Sequence, residues 1–202
     1  MDTIFQIAIL IMSVVVHETS HGFAALKLGD YTARMAGRLT LNPLKHLDPF
    51  GSVIVPLLTS LGGFTFGWAK PVPYNPYNLK WRKWGDAVVA LAGPLSNLAL
   101  AIVFGLLARL SFHLEFISNP AFYKISFFIV IINLVLFVFN MMPIPPLDGS
   151  KLVLPFLSEE AKARYFEVEK YGFFIVFAFI IFLGDAVILP AVSFIFRLIA
   201  GA

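Results

Sequence analysis

Long apolar stretches alternate with short polar loops along this chain. A hydrocarbon core takes roughly 20 apolar residues as helix. The run from Thr3 to Leu28 meets that length, as does Asp86 to Phe112, and Ser126 to Met142 is a slightly short third. Phe173 to Leu183 and Ala186 to Ala200 form a fourth apolar region, interrupted by Gly184-Asp185 and Pro190. That region reads either as one bent span or as a tight helical hairpin. The first run lacks a basic leader segment, so it is expected to remain as a span.

Gly51 to Gly63 is apolar, contains Pro56 and is too short to cross a bilayer easily. Lys27, Arg34, Arg38 and Lys45 precede it, and Lys70, Lys80, Arg82 and Lys83 follow it. Basic loops gather on the cytoplasmic side, so the segment is expected to be re-entrant or interfacial. With that choice the N-terminus lies outside and residues 29–85 lie inside. The loop from Ser111 to Tyr123, with no Lys or Arg, lies outside, and residues 151–170 lie inside. Ser158 followed by Glu159-Glu160 predicts an N-capped helix on the membrane surface, with Glu160 and Arg164 paired at i,i+4. Between the first span and the short segment, Arg38 to Leu41 alternates polar and apolar after Gly37, which predicts a small β-hairpin over residues 31–41.

Composition agrees with a membrane protein. Hydrophobic residues make up 59% of the 202 residues and charged residues 13%, against about 25% charged in soluble domains. The expected fold is an all-α polytopic bundle of about four to six transmembrane segments, with a hairpin or re-entrant loop after the first helix. Residues 1–202 read as one integral-membrane domain. The net charge of +3 resides in loops and marks topology, not a nucleic-acid surface. There are no cysteines, which excludes disulfides, thiol nucleophiles and thiolate metal sites. A metal here must use His and carboxylates.

The chemistry concentrates in His17-Glu18-Thr19-Ser20-His21. Helical residues four apart share a face, so two imidazoles can hold one Zn²⁺ while Glu18 takes a proton from water. The bland alternative is a set of structural hydrogen bonds. Ionisable groups at membrane depth are costly, which favours function. A catalytic zinc has three protein ligands. Asp148 is a candidate third, in Asn140-Met-Met-Pro143-Ile-Pro145-Pro146-Leu147-Asp148-Gly149, where the prolines free backbone groups. Spacing alone leaves it open whether Asp148 is a ligand or a helix cap at the surface.

Together, HETSH in the first span, Ala92-Gly93-Pro94-Leu95-Ser96-Asn97 in the second and Asn140 to Gly149 after the third resemble the site-2 proteases. Gly37-Arg38-Leu39-Thr40-Leu41-Asn42-Pro43 and Phe66 to Pro73 resemble the family's short bacterial and archaeal members, which lack PDZ or CBS modules. The resemblance implies an intramembrane zinc metalloprotease of a prokaryotic plasma membrane. It implies one zinc per chain on His17, His21 and Asp148, with Glu18 as base and a membrane-protein substrate, and the basic loops put the active site toward the cytoplasm. A strand-rich loop after the first helix is also implied.

Other residues carry narrower expectations. Asn97 and Asn140 either polarise a substrate carbonyl or join helices, whereas Asn133 reads as helix glue. Arg38, Leu39 and Thr40 are candidates for holding substrate as an added strand. His46 reads as a loop residue, and Trp68, Trp81 and Trp84 as interfacial anchors. The rival functions are a protease with a Glu ligand from Glu159, Glu160, Glu167 or Glu169, a membrane metal transporter, and a catalytically silent scaffold. Glu18 argues against silence.

Overall fold

The computed structural model describes residues 3–48, 51, 54–55, 69–111 and 119–200. Its long elements are α1 (Thr3–Lys27), α3 (Gly85–Ser111), α4 (Pro120–Asn140) and α7 (Gly172–Ala200). Each is long and apolar enough to cross a membrane. Short helices α2 (Thr32–Met35), α5 (Asp148–Lys151) and α6 (Glu159–Glu169) sit in the connections. Local sequence explains their ends. The Asn119 side chain accepts from the Ala121 N–H, with Pro120 at the first helical position of α4. Ser158 Oγ accepts from the Ala161 N–H at the start of α6, and Arg164 Nη2 lies 2.6 Å from Glu160 Oε1.

The fourth apolar region is one helix. Gly184, Asp185 and Pro190 all lie within α7. In apolar surroundings the backbone has no water partners to defect to, so Gly184 and Pro190 are tolerated inside a span.

α3 is the hub of the bundle. Its small residues Ala101 and Ala108 are buried, and a Cβ on Gly105 would run into Ile199 of α7. Small residues let helices approach closely, where packing alone drives association. Ala101, Val130, Leu134, Val138 and Val192 form the core between α3, α4 and α7. A second cluster, Ala25, Leu28, Leu79 and Val89, joins the end of α1 to the start of α3.

The predicted β-hairpin over residues 31–41 is not there, and the described residues contain no strand. Gly37 does make a turn, but as the end of a helix. Its φ is 63°, its N–H donates to the Arg34 carbonyl and the next N–H, of Arg38, reaches back to Ala33. Those paired bonds are the Schellman signature of a helix end. The same motif ends α1, where Gly29 has φ 100°, with Gly29 N to Leu26 O at 3.0 Å and Asp30 N to Ala25 O at 2.9 Å. Two successive glycine stops leave no room for paired strands between them. Residues Arg38–Leu41 are irregular and pair with nothing as a ladder.

Asp30 fastens the connections together. Its fully buried carboxylate accepts from Thr32 Oγ1 (2.6 Å), the Thr32 N–H (3.3 Å), Asn78 Nδ2 (2.8 Å) and the Asn75 N–H (2.8 Å). Burial pushes its pKa up, but these bonds outweigh burial and hold it below the ordinary carboxylate value.

Gly51–Gly63 lies outside the described residues except at Gly51, Ile54 and Val55, and Trp68 lies outside them too. The flanks carry the information. Lys70 N donates to His46 O at 2.9 Å, and Lys80 N donates to Leu28 O at 2.8 Å. The chain therefore departs and returns at the same end of the bundle. Single cysteines at positions 45 and 80, in a chain that has none of its own, should both be labelled from one side of the membrane. Labelling from opposite sides would contradict the arrangement.

Candidate metal centre

α1 and α3 run antiparallel, and the second half of α1 lies against the first half of α3. His17 and His21, one turn apart, turn their rings toward Gly93. A Cβ on Gly93 would collide with Nε2 of both rings. Only glycine leaves that space open. From the other side comes Asp148, the first residue of α5. The next residue is Gly149, where a Cβ would strike the Met141 carbonyl. That close approach folds the proline-rich turn back on the end of α4 and aims Asp148 inward.

The result is a triangle of acceptor atoms. Asp148 Oδ2 is 3.1 Å from His17 Nε2 and 3.2 Å from His21 Nε2, and the two Nε2 atoms are 3.0 Å apart. The tautomers follow from the outer partners. His21 Nδ1 donates to the Val89 carbonyl at 2.7 Å, and His17 Nδ1 donates to Asn97 Oδ1 at 2.6 Å. Each neutral ring then has its proton on Nδ1 and a lone pair on Nε2. With both rings neutral, three lone-pair atoms face one another in a largely buried place. That arrangement repels itself unless a cation sits among them. Zinc ligands about 2.0–2.1 Å from the metal at tetrahedral angles lie roughly 3.3–3.4 Å apart, close to this triangle. The donor set, the open space at Gly93 and the outer partners all fit Zn²⁺. Among the described residues, these three group closely enough to hold one ion.

Glu18 adjoins the triangle. Its Oε2 accepts from the Val72 N–H at 2.9 Å. The segment around Val72 is tied down by Arg38, whose Nη2 donates to the carbonyls of Lys70 (2.7 Å) and Pro71 (3.3 Å). Gly22 makes this crossing possible, since a Cβ there would crowd Leu39, Val72 and Ala33. The sequence reading missed Gly22, and only its place one turn beyond Glu18 could have drawn attention to it.

The remaining candidates divide. Asn97 is fully buried and turned to His17. Asn140 Nδ2 donates to Leu136 O of its own helix at 2.9 Å. Thr40 O accepts from Thr19 Oγ1 (3.1 Å) and His46 Nε2 (2.8 Å), so His46 is engaged in the loop, away from the triangle. Glu159 and Glu160 pair with Lys162 and Arg164 on exposed α6.

The model of peptidase family M50 matches residues 5–122 and 112–183. The chain belongs to that family. M50 is the site-2 type of zinc metalloprotease, and this member is a metalloprotease with zinc as its cofactor. A Bacillus subtilis (strain 168) protein, provisionally named zinc metalloprotease YwhC, is 38% identical over 194 residues, covering 94% of this chain and 86% of its own. The similarly named Rip2 of Mycolicibacterium smegmatis is 35% identical over 88% of this chain and 67% of its own length. A Methanocaldococcus jannaschii zinc metalloprotease, also provisionally named, is 49% identical over 65 residues, 32% of this chain and 31% of its own. No solved structure matches significantly. Family membership and the four apolar helices make this M50 peptidase an integral membrane protein.

Gly93→Ala tests the geometry of the M50 centre. The added methyl would lie against both Nε2 atoms. Zinc affinity, measured by chelator competition, should fall about tenfold or more while the protein still purifies as a folded monodisperse species. Parental affinity would show that Gly93 does not line the site.

Proposed function

We propose that His17, His21 and Asp148 hold a single zinc ion and that Glu18 is the general base of an intramembrane endopeptidase acting on membrane-embedded substrates. The observation that carries this reading is the buried meeting of His17 Nε2, His21 Nε2 and Asp148 Oδ2 within 3.2 Å of one another. Zinc bound there supplies Lewis acidity toward water and the scissile carbonyl. Glu18 accepts a proton from the attacking water and passes it to the leaving amine. Its Oε2 is held by the Val72 N–H, which orients the carboxylate before substrate arrives. In this reading Asn140, at the end of α4, polarises the substrate carbonyl with the amide hydrogen that is not given to Leu136 O.

The active site faces the cytoplasm in this reading. Lys27, Arg34, Lys45, Lys70, Lys80, Arg82, Lys83, Lys151, Lys162 and Arg164 flank the end of the bundle that carries the triangle, and positive charge favours that side. A substrate helix must be unwound before its amide is exposed. The irregular stretch Arg38–Leu41 offers main-chain groups for holding it extended. The N–H groups of Leu39 and Thr40 donate to no other group among the described residues, whereas the Thr40 carbonyl and the Arg38 side chain are engaged.

Glu18→Gln, nearly isosteric but unable to act as a base, should retain one zinc per chain and lose hydrolysis of a membrane substrate by about 100-fold or more. Asp148→Ala should lose both zinc and hydrolysis. Activity of Glu18→Gln within a few-fold of the parent would remove Glu18 from its role. Full zinc occupancy in Asp148→Ala would remove Asp148 from the ligand set. Zinc transport by a Glu18→Gln protein that never cleaves would favour the transporter reading.

Proline deletes a main-chain donor. Leu39→Pro and Thr40→Pro should therefore lower cleavage of an intact transmembrane substrate while zinc stays near the parental level. If both variants cleave at the parental rate, this stretch does not hold the substrate.

A further inference from the structure

We propose that the zinc-binding tautomer of His17 is dictated from α4 through two side-chain amides, making Asn97, Asn133 and Ser13 positioning residues for the metal. The inference rests on reading His17 as a ligand and goes beyond it to what fixes that ligand.

A neutral imidazole carries one proton and can place it on either nitrogen. It binds zinc through Nε2 only when that proton is on Nδ1. Asn97 faces Nδ1, but an amide presents an acceptor from one end and a donor from the other. Which end meets the ring decides the tautomer. The answer must come from a partner whose own role is fixed.

That partner is the Ile129 carbonyl on α4, which can only accept. Asn133 Nδ2 lies 2.8 Å from it and 2.9 Å from Ser13 Oγ. The nitrogen end of Asn133 is thereby assigned, and its Oδ1 is left to accept. Asn97 Nδ2 lies 2.9 Å from that oxygen and 3.4 Å from the Ser13 carbonyl, a second group that can only accept. Both hydrogens of the Asn97 amide are used. Its Oδ1 therefore faces His17 Nδ1, at 2.6 Å, and the ring proton must be there. The Ile129 carbonyl, with the Ser13 carbonyl beside Asn97, sets the direction of the chain that ends at His17.

Burial makes the direction binding. Asn97 and Asn133 are both 0% exposed, so no water can substitute for a misdirected amide. Reversing Asn97 would put its nitrogen against Nδ1 and move the ring proton to Nε2. That proton would occupy the place of the ligand lone pair. Reversal would also set Asn97 Oδ1 against Asn133 Oδ1. Two unsatisfied buried pairs cost more than either amide alone. Ser13 stands one turn before His17 on the same face of α1, so one helix supplies both the ligand and the last support of its orienter.

The test is zinc affinity of the full-length purified protein, read by competition with a chromophoric chelator, beside its thermal unfolding. Asn97→Leu and Asn133→Leu should each weaken zinc by about 10–100-fold. Asn97→Asp keeps an acceptor oxygen toward Nδ1 but loses the donor to Asn133 Oδ1 and the Ser13 carbonyl, so it should weaken zinc less than Asn97→Leu does. Ser13→Ala, too mild to threaten folding, should lose about 2–10-fold. In zinc-free protein, the imidazole ¹⁵N resonances of His17 should report a proton on Nδ1 in the parent and a mixture of tautomers in Asn97→Leu.

Leucine variants that fold and keep parental zinc affinity would overturn the relay, reducing these residues to helix packing. Equal losses in Asn97→Asp and Asn97→Leu would do the same. If Asn133→Leu does not fold, Ser13→Ala and the Asn97 pair still decide. His17→Ala separates the two levels. Zinc lost there but undisturbed in the asparagine variants defeats the relay alone, whereas zinc retained there defeats the ligand assignment on which it stands.

Discussion

The mutual repulsion of three lone-pair atoms is the constraint that organises this protein. Nε2 of His17, Nε2 of His21 and Oδ2 of Asp148 lie 3.0–3.2 Å apart in a largely buried place. Without a cation the arrangement is uphill, and in a low-dielectric interior the penalty grows. Several features far apart in sequence serve to hold it. Gly93 withholds a methyl group, Gly149 lets the chain fold back on Met141, and Val89 and Asn97 take the outer ring protons. Each acts on position or protonation, and none is itself a ligand.

The bundle delivers these parts because of how α1, α3 and α4 meet. α1 and α3 are antiparallel neighbours, joined at one end by Lys80 N to Leu28 O and deeper by the histidine contacts. α4 ends just where the proline-rich turn begins, so Asp148 reaches the triangle without a long excursion. The small residues of α3 keep α7 close through Gly105 and Ile199. The fold is thus a frame whose tolerances are set by glycine and alanine positions, as expected where no hydrophobic force separates helix from lipid.

Much of this was legible in the amino-acid sequence. Apolar length gave the first two spans to within a residue, whereas the third begins at Pro120, well before the expected Ser126. His17 and His21 were legible because helical spacing places them together whatever the tertiary fold. Asp148 was not legible from spacing, since 131 positions separate it from His17 and only the packed bundle joins them. It came from the resemblance of three motifs in order. Asn97 and Asn133 could be noticed but not assigned, because the direction of an amide depends on a carbonyl in another helix. Residues 31–41 were misread for a local reason. Gly37 at positive φ serves a hairpin turn and a helix end equally well in sequence, and the Schellman bonds to Ala33 and Arg34 select the helix end. In the fourth apolar region, Gly184 and Pro190 count as breakers by soluble-protein habit, yet α7 runs through both.

The contact between Glu18 and Val72 has an evolutionary consequence. The donor is a main-chain N–H, so the information that orients the Glu18 carboxylate is not written in the identity of residue 72. Any amino acid there supplies it except one. That one is proline, and the position is flanked by Pro71 and Pro73. What limits drift at 72 is then size, through its buried packing over Gly22, together with a single forbidden residue. A codon change that looks conservative in this proline-rich context would silence the orientation of the carboxylate, whereas one that looks radical in polarity would leave that hydrogen bond in place.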